Sequence, residues 1–112
     1  MDCIFCKIAN GEIPATKVYE DETVIAFNDL EPQAPTHILV IPKTHITSAA
    51  DISNENSEVV AHIFEVISKL SEDMNMAEGF RVVTNCGDSA GQSVKHLHFH
   101  LMSGRKFTWP AG

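Results

Sequence analysis

The sequence predicts an α+β fold in which an antiparallel sheet of about five strands packs against one long helix. Two observations support this prediction. Five short apolar segments are bounded by Asp, Asn, Gly or Pro, which is the pattern of strands. Between the third and the fourth lies a longer stretch with apolar residues at intervals of three and four, which indicates an amphipathic helix. The 112 residues have the size of a single domain, 1–112.

The first half of the chain predicts a short helix and three strands. Apolar residues at positions 4, 5 and 8 indicate a short N-terminal helical turn that ends near Gly11. Residues 18–21 and 23–28 have the composition of a hairpin. Residues 29–35 contain two prolines and are expected to form a loop. Residues 37–42 form a strongly apolar strand that ends at Pro42.

The second half predicts the long helix and two further strands. Residues 48–52 favour another short helical turn, and residues 53–56 provide capping side chains for the helix that follows. Gly79 is the expected end of that helix. Strands are expected at 80–85 and 95–102, with a loop at 86–92. The apolar stripe of the helix is Val59, Val60, Ile63, Phe64, Val66, Ile67, Leu70 and Met74.

Charge and composition exclude several classes of function. The net charge of −7 disfavours nucleic acid as a partner, because that affinity depends on neutralising phosphates with Lys and Arg. No apolar run approaches the ~20 residues of a membrane span, so no membrane partner is expected. The N-terminus lacks the pattern of a signal peptide. Three cysteines, an odd number, argue against a disulfide framework and favour the reducing cytoplasm.

Three histidines near the C-terminus, His96, His98 and His100, alternate with apolar residues. On a strand they would share one face, while the residues between them pack beneath the long helix. The histidine face would then be left open. Such histidines have three possible roles: exposed polar residues, ligands of a shared zinc ion, or catalytic groups. The catalytic role is possible because neutral imidazole is abundant at pH 7 and acts as a nucleophile or base.

The loop at 85–93 precedes these histidines and is rich in small residues. Its backbone N–H groups and the Ser93 hydroxyl could bind a phosphate. A glycine-rich loop alone is more often only a turn. Because this loop leads directly into three alternating histidines, the sequence favours catalysis on a phosphate.

Cys3 and Cys6 form a Cys-x-x-Cys pair near the N-terminus. A redox pair is one interpretation, but no thioredoxin-like βαβ pattern surrounds it. Zinc is the other, and it would need two more ligands, since thiolates with imidazoles form closed tetrahedral sites. Cys86 is expected to be a plain loop residue, and His62 a partly exposed residue of the helix.

Residues 96–102 match the His-φ-His-φ-His-φ-φ motif, in which φ is apolar, and so resemble the histidine-triad (HIT) family of nucleotide hydrolases and transferases. Segments 27–30, 32–37, 40–45, 91–94 and 109–110 are similar to its nucleotide-binding protein branch. The resemblance covers nearly the whole chain. It implies a HIT-like fold whose sheet continues across a homodimer, with the tail at 107–110 reaching toward the partner's site.

The resemblance implies a purine nucleoside phosphoramidase. His98 would attack the α-phosphorus of an AMP-amide or AMP–lysine adduct, forming a nucleotidyl-histidine that water resolves to AMP. His100 and Ser93 would donate hydrogen bonds to phosphoryl oxygens or the departing amine. His37 would orient His98 through a hydrogen bond, or have only a structural role.

The resemblance also implies the nucleotide-binding residues. Asp29 would bind the ribose hydroxyls, although an Asp in such a loop by itself favours turn-making. The expected base-pocket residues are Phe27 and Leu30. The expected phosphate-pocket residues are Asn85, Gly91, Gln92, Ser93, His98 and His100. The nucleotide would be AMP or a GMP derivative.

For the metal, the resemblance points to a bacterial-type subset of the family with structural zinc. The matching positions are Cys3, Cys6, His45 and His96. Four protein ligands leave no open position, so the zinc would not be catalytic. Three alternatives stay open: an AMP-binding regulatory module with little turnover, a diadenosine polyphosphate hydrolase, and a zinc-binding structural protein.

Overall fold

The computed structural model describes residues 3–112, which form a five-stranded antiparallel sheet with helices on both faces. The spatial order of the strands is β1-β2-β3-β5-β4. This confirms the predicted α+β fold with one long and one short helix. The elements are α1 (Ile4–Ala9), β1 (Lys17–Glu20), β2 (Val24–Asn28), β3 (Thr36–Pro42), α2 (Ser57–Asp73), β4 (Phe80–Val83) and β5 (Phe99–Ser103), with 3₁₀ turns at Ala49–Asp51 and Asp88–Ala90.

The two central strands bring distant histidines together. β1, β2 and β3 follow one another as an antiparallel meander, and β5 then pairs with β3 on one side and β4 on the other. In this register Leu39 lies opposite His100, and His37 lies opposite Met102. His37 and His100 are therefore diagonal neighbours, within reach of each other's side chains.

The sheet has an apolar core on each face. Consecutive residues of β2 and β3 point to opposite faces of the sheet, and nearly all of them are buried. Because β3 is covered on both faces, its residues 38–42 form a continuous apolar run. The core under α2 consists of Val24, Ala26, Ile38, Val40, Ile46, Ile63, Val66, Ile67, Leu70, Met76, Leu97, Phe99 and Leu101. The core under α1 consists of Cys3, Phe5, Ile25, Phe27, Leu39 and Ile41.

The long helix differs from the prediction at its end and at the edge of its stripe. It ends at Asp73 rather than near Gly79, and Asn75 takes the left-handed conformation with φ of 58° that commonly follows a helix. Asn tolerates this conformation better than other residues with a Cβ, so Gly79 was not needed as the stop. Phe64 and Met74, expected in the buried stripe, remain 48% and 37% exposed.

The histidine face is not open, which corrects the expectation from the sequence. β5 begins at Phe99, so only His100 lies within the strand and the other two histidines precede it. The Phe5 ring of α1 packs edge-on against that of His98, with centroids 5.1 Å apart. His96 and His98 are 0% and 4% exposed. The apolar residues of the short helix need a surface to cover, and this face of the sheet supplies it.

His62 joins α2 to the turn between β1 and β2. Its Nε2 lies 2.6 Å from Asp21 Oδ2, and its Nδ1 lies 3.0 Å from Glu65 Oε1. Hydrogen bonds to Asp21 and then Glu65 raise the pKa of His62. The predicted partial exposure is confirmed, and the ring also bridges two elements. No helix within 3–112 is long and apolar enough to cross a membrane.

Truncating Leu101 should destabilise the protein strongly. Its side chain is 0% exposed in the core beneath α2, so Leu101→Ala should lower the free energy of unfolding by about 3 kcal/mol through lost burial and a residual cavity. Urea denaturation measures this. The matched control is Leu30→Ala, at a position 96% exposed, which should change it by less than about 0.5 kcal/mol. Equal effects of both changes would contradict this account of the core.

Candidate active site and metal-ligand cluster

A pocket of about 590 Å³ opens on the α1 face of the sheet, and we call it the histidine pocket. This volume is within the range of small-molecule sites. One part of its wall is apolar and includes Ile8, Phe27 and Leu39. The polar wall residues used below are Asp29, His37, Ser93, His98 and His100. The pocket therefore combines an apolar surface with three imidazoles and two carboxylates, those of Asp29 and Glu31.

A main-chain hydrogen bond determines which nitrogen of His98 carries the proton. His98 Nδ1 lies 2.7 Å from the carbonyl oxygen of His96. Because a carbonyl only accepts hydrogen bonds, Nδ1 must be the protonated donor, and in the neutral ring Nε2 then keeps its lone pair. A neutral His98 therefore has its lone pair on Nε2, which is the arrangement that a nucleophile or a base needs.

The main-chain N–H of Gln33 orients His37, and His37 in turn orients His100. The Gln33 N–H donates to His37 Nδ1 at 2.9 Å, so the proton of a neutral His37 lies on Nε2. That Nε2 donates to His100 Nδ1 at 2.8 Å, which leaves the proton of His100 on its own Nε2. His100 is therefore a neutral hydrogen-bond donor. We call this chain the histidine relay.

The prediction that His37 would bond to His98 is wrong. The partner of His37 is His100, because antiparallel pairing of β3 with β5 makes these two diagonal neighbours. His98 lies before the first residue of β5 and takes a main-chain partner instead.

Burial keeps the relay uncharged at neutral pH. The pKa of His100 is lowered to about 4, mainly by burial and also by the nearby His98 and His37, while the Asp29 carboxylate opposes the shift. Burial also lowers the pKa of His37, again against the pull of Asp29. Both rings act as neutral groups.

Asp29 has two different contacts, one for each carboxylate oxygen. Oδ1 accepts the Glu31 N–H at 2.8 Å, which is the turn-making role that the loop composition favours. Oδ2 lies 3.4 Å from His37 Nε2 and 3.9 Å from His100 Nδ1. The two ring nitrogens already bond to each other, so neither keeps a lone pair for a metal ion.

The loop before the histidines is held together by Gln92, a role that the sequence did not reveal. Its buried side chain accepts the Gly87 N–H at 2.9 Å and donates to the carbonyl oxygens of Thr47 and Val94. Gly91 has a φ of 85°, a conformation that strongly favours glycine. From this loop the described pocket wall includes Ser93 and Val94, but not Asn85, Gly91 or Gln92.

Cys3, Cys6, His45 and His96 meet beside the pocket, and we call them the thiol–imidazole cluster. Their ligand atoms lie within 4.8 Å of one another. Cys3 Sγ is 3.4 Å from His96 Nδ1, and Cys6 Sγ is 3.3 Å from His45 Nδ1. Sulfur and nitrogen ligands of one tetrahedral zinc ion would be about 3.5 Å apart.

The surroundings of the cluster also suit a metal ion. His96 Nε2 donates to the Pro42 carbonyl at 2.8 Å, so its Nδ1 keeps a lone pair directed at the sulfurs. Metal-bound histidines commonly make such a second hydrogen bond. Cys3 caps α1, with its sulfur accepting the Cys6 N–H at 3.3 Å. The cluster thus ties the short helix to the segments before β5 and after β3.

Known proteins resemble the chain over nearly its full length. The family model described as "Scavenger mRNA decapping enzyme C-term binding" matches residues 2–108. A "14 kDa zinc-binding protein" of Zea mays is 46% identical over 111 residues, which cover 97% of this chain and 87% of that one. An uncharacterized HIT-like protein of Synechococcus elongatus is 44% identical, over 99% of this chain and 97% of that one.

The chain belongs to the histidine-triad family.

Solved structures of HIT proteins agree closely with this fold. A histidine triad protein from Clostridium difficile is 57% identical with a TM-score of 0.93, covering 96% of this chain and 95% of that one. A HIT family hydrolase from Legionella pneumophila is 49% identical with a TM-score of 0.96, covering 99% of this chain and 100% of that one. The predicted HIT fold is confirmed.

The pKa of His100 predicts how the stability of this HIT protein depends on pH. An unfolded histidine takes up a proton near pH 6.5, whereas folded His100 does so near pH 4. The unfolded state therefore binds the proton first, and the free energy of unfolding should fall as pH drops from 6.5 to 4, by at most about 3 kcal/mol. His100→Asn should reduce this loss, measured by urea denaturation across that range.

The control is His62→Gln, because the raised pKa of His62 has the opposite effect. Its ion pairs contribute stability at pH below 6.5, and that contribution is lost as pH rises through the folded pKa. An unchanged slope between pH 6.5 and 4 in His100→Asn would contradict the assignment of a neutral, buried His100.

Proposed function

We propose that this HIT protein is a nucleotide-binding hydrolase that cleaves the P–N bond of purine nucleoside 5′-phosphoramidates, such as an AMP-amide or an AMP–lysine adduct. The observation that supports it most is the hydrogen bond from His98 Nδ1 to the His96 carbonyl, which leaves the lone pair of a neutral ring on Nε2, in a residue that lines the pocket. The neutral donor His100 and the Ser93 hydroxyl lie on the same wall.

The pocket suits a nucleotide from the base to the phosphate. The base would lie against the apolar surface that includes Phe27 and Leu39, with the exposed Leu30 at the rim. Asp29 Oδ2 would accept hydrogen bonds from the ribose hydroxyls, while Oδ1 keeps the loop in its turn. The phosphate would then lie near His98. Asn85, Gly91 and Gln92 would act by holding the loop in shape around Ser93.

In the first step, the lone pair of His98 Nε2 forms a bond to the α-phosphorus and the P–N bond of the substrate breaks. The leaving nitrogen keeps the electron pair of that bond and takes a proton from solvent through the Ser93 hydroxyl. The ring that is now bonded at both nitrogens carries a positive charge, which its Nδ1–H shares with the His96 carbonyl. His100 Nε2–H stabilises the phosphoryl oxygens without a charge of its own.

In the second step, water attacks the phosphorus and the N–P bond to His98 breaks. The electron pair returns to Nε2, and the water proton passes to solvent, so that AMP leaves and neutral His98 is restored. The histidine relay keeps the His100 donor directed toward the phosphate in both steps, because its other nitrogen stays bonded to His37. His37 is therefore a positioning residue.

Removing the nucleophile should abolish turnover. With an adenosine 5′-phosphoramidate in single-turnover mixing, the wild type should accumulate a nucleotidyl-protein adduct, and His98→Ala should form none and lose at least about a thousandfold in rate. Mass spectrometry detects the adduct and an amine assay the product. His62→Gln, on the opposite face of the sheet, should retain both.

Two results would contradict this proposal in different ways. If AMP binds but neither adduct nor amine forms in the wild type, the protein is an AMP-binding regulatory module. If a diadenosine polyphosphate turns over faster than any phosphoramidate, the scissile bond is P–O rather than P–N.

We also propose that the thiol–imidazole cluster binds structural Zn²⁺ through Cys3, Cys6, His45 and His96. The Zea mays relative named a 14 kDa zinc-binding protein supports this proposal, as do the sulfur–nitrogen distances. Bound zinc would link the N-terminal helix to the segments beside the sheet by direct coordination, and cysteines that form no disulfide would suit a reducing cytoplasm.

Removing the two sulfur ligands should remove the metal. Purified Cys3→Ser/Cys6→Ser should lose about one equivalent of zinc per chain and melt at a lower temperature, because metal binding to the folded state adds to its stability. Elemental analysis and thermal denaturation measure the two effects. Cys86→Ser, which changes an exposed cysteine outside the cluster, should alter neither. Unchanged zinc in the double variant would refute the site.

The proposed assembly is a C2 homodimer whose sheet continues from one chain to the next. β4 is an edge strand within the chain, and an unpaired edge can pair with a second copy. Two large apolar residues, Phe64 on α2 and Phe80 on β4, are about half exposed, and Phe64 packs against Phe99 of the neighbouring β5. Trp109 in the tail is 84% exposed and would extend toward the partner.

A further inference from the structure

A second cavity, of about 560 Å³, adjoins the histidine pocket, and we call it the lysine cavity. Lys7 and Lys95 line it, and Cys3 and His45 of the thiol–imidazole cluster form part of its wall. The two cavities have a common border. The residues that line both are Ile4, Ile13, Ser93 and Val94.

The two cavities differ in charge. The histidine pocket is lined by the carboxylates Asp29 and Glu31 and, among the described residues, by no lysine or arginine. The lysine cavity is lined by two lysines and, within 3–112, by no carboxylate. In a chain with a net charge of −7, a cavity whose charged lining residues within 3–112 are Lys7 and Lys95 is opposite in sign to the average field of the protein.

Lys95 is held in place by the loop that precedes it. Its Nζ donates to the carbonyl oxygen of Gln92 at 2.9 Å and pairs with the Asp88 carboxylate. An ammonium group has three N–H donors, and these contacts use two of them. The side chain of Asp88 is 93% exposed and does not line the cavity, so its offsetting charge lies on the solvent side of Lys95.

Ser93 relates the lysine cavity to the proposed reaction. An atom that leaves phosphorus departs opposite to the attacking atom, here His98 Nε2. In the proposed function the leaving amine takes its proton through the Ser93 hydroxyl, and Ser93 borders both cavities. The substituent on the leaving amine would therefore lie next to the lysine cavity.

We propose that the lysine cavity binds the leaving-group side of the substrate and selects amines that bear an anionic group, a carboxylate or a phosphate. This inference rests on the proposed function and adds the class of leaving group. The bond changes are those given above, and the anionic group itself does not react. A cationic substituent, such as the free end of a diamine, is disfavoured by the same lysines.

Three adenosine 5′-phosphoramidates of matched length test the selection. Their leaving amines are β-alanine, which is anionic, β-alaninamide, which is neutral, and 1,3-diaminopropane, which is cationic. For the wild type, kcat/KM should fall in that order, with the anionic substrate about fivefold above the neutral one, as expected for a solvent-accessible ion pair. Added salt should reduce the ratio.

Variants of Lys95 and of its ion-pair partner Asp88 make the test specific. Lys95→Gln should lower the ratio of anionic to neutral substrate well below that of the wild type, with Lys7 still present, and Asp88→Asn should raise the ratio by removing the opposing charge. Lys69→Gln, which removes an exposed lysine paired with Asp73 on α2, is the control and should leave the ratio unchanged. Turnover of the neutral substrate should stay within about twofold in all three.

The outcomes separate this inference from the proposed function. Equal kcat/KM for the three substrates in the wild type, or an anionic preference that is undiminished in Lys95→Gln, would overturn the leaving-group assignment and leave the phosphoramidase intact. Absence of turnover of all three substrates by the wild type would overturn both.

Discussion

The hydrogen bond between the His98 ring and the His96 carbonyl is the interaction on which the proposed chemistry depends. It determines which nitrogen of a neutral His98 carries the proton, and in the proposed mechanism it later shares the positive charge of the nucleotidyl ring. Its acceptor is well fixed, because His96 is completely buried and donates its own Nε2–H to the Pro42 carbonyl. The same residue faces the sulfurs of Cys3 and Cys6. One segment of three residues thus connects the proposed zinc site to the proposed nucleophile.

Main-chain groups orient the other histidines in the same way. The Gln33 N–H determines the protonated nitrogen of His37, and that nitrogen determines the orientation of His100. Because burial lowers the pKa of His37 and His100, both rings stay neutral and donate without competing with His98 for a proton. Asp29 opposes these shifts and also holds its own loop. The neutral donor His100, the proposed nucleophile His98 and the Asp29 carboxylate therefore lie in a single pocket as three distinct groups.

One face of the sheet packs the larger apolar core, and the other face carries the candidate active site. The long helix covers one face with a purely apolar core, whereas the short helix covers the other with Phe5 against the ring of His98. A six-residue helix has little intrinsic stability in water. Its position therefore depends on packing and on the contacts of Cys3 and Cys6, and the wall of the histidine pocket depends on it in turn.

Local patterns in the sequence were sufficient for the number and order of the strands, for the long helix and for the residue types of both sites, because the periods of strands and helices are local properties. They did not give the start of β5 at Phe99 or the end of α2 at Asp73. The set Cys3, Cys6, His45 and His96 followed from the family resemblance, and the fold brings it together. Tertiary structure alone decided that His37 bonds to His100, that α1 covers the histidine face and that Gln92 holds the loop. These contacts join segments that are far apart in the chain, and some use main-chain groups, which every residue has. The pattern of side chains along the sequence therefore does not predict them.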